Sequence, residues 1–216
     1  GSARRAAGEA SRASLPALQW VVLPDGSMAA RIELFSPLAY GVRAGLAIEG
    51  LGPRAELRFS GSARTGHVVA VIRGDQVRDL TGDDGLYWTP ATEGERQTIE
   101  IWLPAGVSAG PVRLDAPRLS HLMANAVDDF RILKNLGASA SCNVNAICRI
   151  DELGRGYTTA KNAVARMTFV KDAGTYLCTG TLLNDTDTTT QIPWFHTAHH
   201  CISSGQVAAT LNTYWN

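Results

Sequence analysis

An all-β architecture is predicted for this 216-residue chain by three features of its sequence. Short stretches alternate apolar and polar residues with a period of two, clusters of Gly, Pro, Asn and Asp separate them, and sustained helical periodicity is nearly absent. With 45% hydrophobic and 19% charged residues the composition is that of a globular protein able to bury a core. Twenty basic and twenty acidic residues cancel, so nothing draws the chain to nucleic acid or to an anionic membrane surface. The longest apolar run, residues 68–72, is far short of the roughly 20 residues needed to span a bilayer as a helix.

In order, residues 1–14 are small, polar and basic without an apolar period and are expected to form a flexible leader. A strand follows at 19–23, then the Pro24-Asp25-Gly26-Ser27 turn, then a strand at 29–35 in which Arg31-Ile32-Glu33-Leu34 alternates as on a half-buried surface. The same period recurs in Glu56-Leu57-Arg58-Phe59 and across residues 98–103, with a fully apolar strand at 68–72. Strands at this spacing predict an antiparallel β-sandwich over residues 15–118. Tyr87-Trp88-Thr89-Pro90 is its most aromatic point, and an aromatic plug at a sheet edge is favoured there over a ligand surface. His67 and His121 stand alone and are expected to be structural, because a metal site needs several donors converging on one point.

Residues 119–133 lose the strand alternation and show partial helical spacing, so 119–136 is expected to be a connector. The small-residue run at 137–141 then marks the best domain boundary, and all four cysteines, Cys142, Cys148, Cys178 and Cys201, lie beyond it. After a polar loop at 151–161, strands are predicted at 163–170, 176–183 and 191–197, again antiparallel, as part of a barrel or sandwich.

Two stretches of this second part carry a resemblance. Cys178-Thr179-Gly180-Thr181-Leu182-Leu183, followed by Phe195-His196-Thr197-Ala198-His199-His200-Cys201, resembles the first barrel of the trypsin-like (chymotrypsin-fold) serine proteases. The resemblance is nearest to the bacterial lysyl endopeptidase group, which also matches Gly137-Ala138-Ser139-Ala140-Ser141-Cys142-Asn143, the cysteine at Cys148, and the closing Tyr214-Trp215-Asn216. It implies that residues 137–216 are an incomplete trypsin-like domain, that His200 is the catalytic base, and that Cys178 and Cys201 are bonded. By the same resemblance residues 15–118 are propeptide-like, with an intramolecular contact to the protease part, and the substrate is a polypeptide. Lys134 and Gly137 mark the expected processing region, and a secreted location, extracellular or periplasmic, is implied.

The chemistry explains those residue types. A serine hydroxyl is a poor nucleophile until a neutral imidazole takes its proton, and a buried carboxylate must hold that imidazole in one tautomer. After His200 the sequence has no Asp or Glu, and its only serines, Ser203 and Ser204, follow too closely to attack a substrate held across a cleft. The expectation is therefore the N-terminal portion of a serine protease precursor, inactive by itself, with Cys142 and Cys148 free, bonded to each other, or partnered elsewhere. No cofactor is implied, since acyl transfer by a serine triad uses none. Two rivals stand beside this reading. One is a zinc site of Cys178, His199, His200 and Cys201, disfavoured by the missing spacer pairs. The other is a non-catalytic binding or adhesion module using an aromatic surface of Tyr87, Trp88 and Trp102, with a degenerate protease-like segment attached.

Overall fold

The computed structural model describes residues 4–5, 7–10, 15–123, 150–172, 174–187 and 189–215. The chain starts with two short strands, β1 (Arg4–Arg5) and β2 (Ala7–Ala10), within the expected flexible leader. Next come β3 (Trp20–Val22), β4 (Met28–Phe35), β5 (Gly41–Glu49), β6 (Glu56–Gly61) and β7 (Val68–Arg73). A short helix α1 (Gly74–Leu80) leads to β8 (Tyr87–Trp88), β9 (Thr92–Glu93), β10 (Arg96–Leu103) and β11 (Arg113–Leu122). The second part holds α2 (Ile150–Asn162), β12 (Val164–Lys171), β13 (Gly174–Leu183), β14 (Trp194–Thr197), α3 (Gly205–Ala209) and β15 (Asn212–Tyr214). Cys142, Cys148, Lys134 and Gly137 lie outside the described residues.

Two antiparallel sheets face each other in the first part, ordered β3-β4-β10-β6-β7 and β2-β11-β5-β8, with β9 also paired to β5. Alternation read from sequence becomes alternation of burial. Ile32 and Leu34 of β4, Leu57 and Phe59 of β6, and Ile99 and Ile101 of β10 point inward and are nearly water-free, while Arg31, Glu33, Arg58 and Glu100 point out. Against them pack Val42, Ala44 and Leu46 of β5 and Leu119 of β11. Burying a side chain of this size contributes about 1.5–3 kcal/mol, so this inner layer supplies the main driving force for the sandwich.

Several elements differ from the sequence reading. β7, the apolar strand expected at 68–72, is the last strand of its sheet, which the sequence reading did not address, and Val68, Val69 and Val71 are 43–49% exposed. Helical spacing was expected from residue 119, yet β11 continues as strand through Leu122, because pairing with β5 and β2 fixes both its edges there. The polar stretch expected as a loop at 151–161 lies in α2, with Asp151 and Glu152 in the first turn, Lys161 in the last, and a break at Gly154, whose φ is 63°.

β5 is the strand that alternation missed. Its core face holds Val42, Ala44 and Leu46, and its other face is buried too, under Trp88 and Thr92 of the first part and Thr210 and Val170 of the second. There Gly45 leaves room for the Trp88 ring, which lies 3.1 Å from where a Cβ would stand. Arg43, 1% exposed, donates from Nε to Thr89 O at 2.6 Å and from Nη2 to Thr210 O at 2.5 Å across the boundary, with its guanidinium 5.9 Å from the Trp88 ring centroid. Among the described residues its Nη1 has no hydrogen-bond partner. Burial pushes the guanidinium down to about 10, opposed by Tyr214 and Tyr87.

Further bonds join the same two parts. Ser120 Oγ and Thr175 Oγ1 are 2.8 Å apart, Ala91 N donates to Asn212 Oδ1 at 3.1 Å, and Gln206 Nε2 donates to Asp83 Oδ2. Val170 packs with Leu86 and Trp88. Tyr87 and Trp88 are thus 3% and 9% exposed. That burial takes two of the three aromatics out of the surface on which the adhesion-module reading rested: Trp88 packs in this contact and Tyr87 belongs to the sandwich core, while Trp102 of β10 is half-buried.

The second part is a sheet ordered β1-β13-β12-β15, with β14 paired to β13. Its core gathers Met167, Phe169 and Cys201, with Tyr176, Cys178, Phe195, Ile202, Val207 and Leu211 around them.

Candidate active site around His200

β13 and β14 place the site. They pair antiparallel from Gly180↔Thr197 to Leu183↔Trp194, so the chain leaving β14 turns beside Thr179 and Cys178. The loop before β14 is held by Asp185, whose Oδ2 accepts from Ile192 N at 2.7 Å and from Thr190 Oγ1 at 2.9 Å. Those bonds hold its carboxyl below the usual carboxylate range, the Ile192 amide first.

Gly180 belongs here for a steric reason. A Cβ on it would run into the Phe195 ring, which lies across the strand and meets Trp215 edge-on with centroids 6.0 Å apart. The glycine of the Cys178-Thr179-Gly180 motif is thus the floor on which β14 packs.

At the end of β14, Thr197 Oγ1 donates to Thr179 O at 2.9 Å. Residues 198–201 then form a tight turn, with Cys201 N donating to Ala198 O at 2.9 Å, and the disulfide Cys178–Cys201 closes it onto β13. Cys201 is buried at 3%. Within this braced turn His200 is solvent-exposed, its carbonyl accepts from Lys171 Nζ at 3.5 Å, and a ring nitrogen of it lies within 4.8 Å of both cysteine sulfurs. The backbone aiming the imidazole is therefore fixed at both ends while the ring faces solvent. Among the described residues no carboxylate hydrogen-bonds that ring.

The remaining candidates separate cleanly. His199 is exposed and does not join the cluster formed by Cys178, His200 and Cys201. In that cluster the two sulfurs are bonded to each other and offer no thiolate, so the set does not fit the zinc reading. Ser204 is committed as the cap of α3, its Oγ accepting from Val207 N at 3.3 Å. His67 sits on an exposed turn, and His121 Nδ1 lies 2.9 Å from Ser36 Oγ, away from the site.

What sequence reasoning missed is β15, which pairs with β12 across Arg166↔Tyr214 to Thr168↔Asn212, and with it Thr210, whose Oγ1 donates to Val207 O and accepts from Val170 N. Thr210 couples the sheet that bears His200 to Arg43 of the sandwich. A buried arginine inside a strand of small residues was the available signal.

Comparison with known proteins agrees with this geometry. A family model described as the lysyl endopeptidase N-terminal domain matches residues 1–123, and one described as the lysyl endopeptidase C-terminal domain matches residues 136–216. A lysyl endopeptidase of Pseudomonas aeruginosa is 34% identical over 211 residues, which is 93% of this chain and 43% of that protein. No solved structure matches. The chain spans less than half the length of that relative, and from its first strand to β15 it belongs to the lysyl endopeptidase family.

Proposed function

We propose that this chain is the N-terminal portion of a secreted serine endopeptidase precursor in which His200 is the general base. The observation that carries the reading is the braced, solvent-facing imidazole at the end of β14, held by the Cys178–Cys201 disulfide and the Thr197–Thr179 bond. In the reaction, neutral His200 takes the proton of a serine hydroxyl as it attacks the peptide carbonyl, then returns it to the leaving amine. On this reading the serine, the oxyanion donors and the carboxylate that orients the imidazole are supplied from outside this chain, which spans 43% of its relative's length. The disulfide fits an oxidising compartment, extracellular or periplasmic.

On this reading the sandwich, whose last strand β11 runs to Leu122, is propeptide-like, the segment after it up to residue 136 is a connector cut during maturation near Lys134 and Gly137, and residues 137–216 are part of the catalytic domain. The polar contact through Arg43, Ser120, Ala91 and Asp83 supports an intramolecular propeptide–protease association. The test is to express the whole reading frame with and without His200→Ala and assay it on a panel of peptide amides, lysyl amides among them. A fall in kcat/KM of about 10⁴-fold or more in the variant, with unchanged thermal unfolding, is expected. Equal hydrolysis by both proteins refutes the assignment. Full activity with the connector uncut refutes the propeptide part alone.

A further inference from the structure

The disulfide that braces His200 holds two sulfurs beside an imidazole, and the oxidation state of that pair decides what the three side chains can do. The His200 ring nitrogen and the Cys178 and Cys201 sulfurs all lie within 4.8 Å of one another. A tetrahedral zinc, with bonds of about 2.3 Å to sulfur and about 2.0–2.1 Å to nitrogen, sets its ligand atoms roughly 3.5–3.8 Å apart. Once the sulfurs are no longer bonded, shifts of about 1 Å per side chain reach that arrangement. The Cα atoms of Cys178 and Cys201 are 6.5 Å apart, toward the wide end of the range a disulfide spans, so the backbone has room for two separate thiolates. Bonds other than the disulfide also hold the turn: Thr197 Oγ1 donates to Thr179 O, Cys201 N donates to Ala198 O, and β14 pairs with β13. Cys201 is buried against Met167 and Phe169, whereas His200 faces solvent.

We propose that reduction of Cys178–Cys201 converts this turn into a zinc site, with Cys178, Cys201 and His200 as its three protein ligands and the fourth position open to solvent. Exchange with a dithiol supplies the electrons: the Cys178–Cys201 bond breaks, the dithiol closes its own disulfide, and two thiols form. Each thiol releases its proton as it binds the divalent cation, and the neutral imidazole binds through its lone pair. Two soft thiolates and an imidazole select zinc over magnesium or calcium, which take oxygen ligands. A disulfide oxidant takes the two electrons back, re-forms the sulfur bond and releases the cation. The functional consequence rests on the reading of His200 as general base. A lone pair bound to zinc takes no proton from a serine, so the reduced, metal-bound chain is switched off, and oxidation frees base and metal together. The site itself does not depend on that reading.

Cobalt spectroscopy tests it on the full chain carrying Cys142→Ser and Cys148→Ser, which leaves Cys178 and Cys201 as the only cysteines. The chain is titrated without oxygen, once oxidised and once reduced by a phosphine, which adds no competing thiol. The reduced chain is expected to bind a single Co²⁺ with thiolate charge-transfer and tetrahedral d–d absorption, both abolished by Zn²⁺, and the oxidised chain to show neither. Cys178→Ser is expected to weaken the charge-transfer band, and His200→Ala to lower the affinity at least about tenfold. Absence of these bands from the reduced chain, equal binding by the oxidised chain, or unchanged affinity in His200→Ala overturns the proposal. Should reduction loosen the second part, Zn²⁺ is still expected to raise the thermal midpoint of the reduced chain and leave that of the oxidised chain in place. An unmoved midpoint in the reduced chain overturns the proposal as well. Absence of peptidase activity in the whole protein would instead fall on the function proposed above and leave these readouts intact.

Discussion

Replacing Arg43 by Met sets two opposing energies against each other. The side chain makes two charge-assisted bonds to neutral carbonyls, Thr89 O at 2.6 Å and Thr210 O at 2.5 Å. At about 1.5–3 kcal/mol each, their loss costs about 3–6 kcal/mol. Against that, burial lowers the guanidinium from 12.5 to about 10, a measure of how strongly this site disfavours the charge, worth about 3 kcal/mol. Methionine keeps most of the apolar stem over Trp88 and removes the charge. Arg43→Met is therefore expected to lose roughly 1–2 kcal/mol, and Arg43→Ala about 2 kcal/mol more through the missing methylenes. Urea unfolding followed by tryptophan fluorescence reads both, since Trp88 lies beneath the guanidinium. A Met variant as stable as the parent, or more so, would mean that the two carbonyl bonds do not outweigh the cost of burial, and would remove Arg43 as the anchor between the two parts.

Three further outcomes follow from the same geometry. Cys178→Ser with Cys201→Ser opens a loop of sequence separation 23 and is expected to cost about 3 kcal/mol, seen as a lower thermal midpoint than the parent under non-reducing conditions and no difference under reducing ones. Gly180→Ala forces the Phe195 ring off β13 and is expected to cost about 1–3 kcal/mol; Gly180→Ala combined with Phe195→Leu should recover part of it if the clash is the cause. Burial pushes the Tyr87 hydroxyl from 10.0 up to about 12, with Arg43 opposing, so between those values the native state keeps a proton that the unfolded chain releases. Tyr87's own contribution to stability therefore falls as pH rises through this window, by about 2 kcal/mol at pH 11.5, while Arg43, lowered by burial, acts in the opposite sense over the same range. The stability of Tyr87→Phe relative to the parent is expected to rise by about 2 kcal/mol between pH 8 and 11.5 in chemical unfolding.

The all-β fold was legible because the sandwich buries one face of most of its strands. Arg31-Ile32-Glu33-Leu34 and residues 98–103 display in sequence the same alternation that burial shows in space. His200 was singled out through the resemblance, and the turn that carries it is local, with Thr197, His200 and Cys201 within five positions of the sequence. Its partner Cys178 was reached through the resemblance, and the structure closes that bond.

What the sequence by itself could not decide is everything that depends on a second surface. β5 shows no alternation because its two faces are both covered, one by the opposite sheet and one by Trp88 and Thr92 together with Thr210 and Val170 of the part that carries His200. β7 reads as a fully apolar strand and lies at the edge of its sheet, since an apolar run carries no information on position within a sheet. The leader reads as formless and pairs as strand because its bonds come from backbone, which carries no sequence signal, and from edges that exist only once β11 and β13 are assembled. Residue pattern determined which stretches form strands and where the imidazole sits; only tertiary packing decided which strand edges meet and which faces are covered.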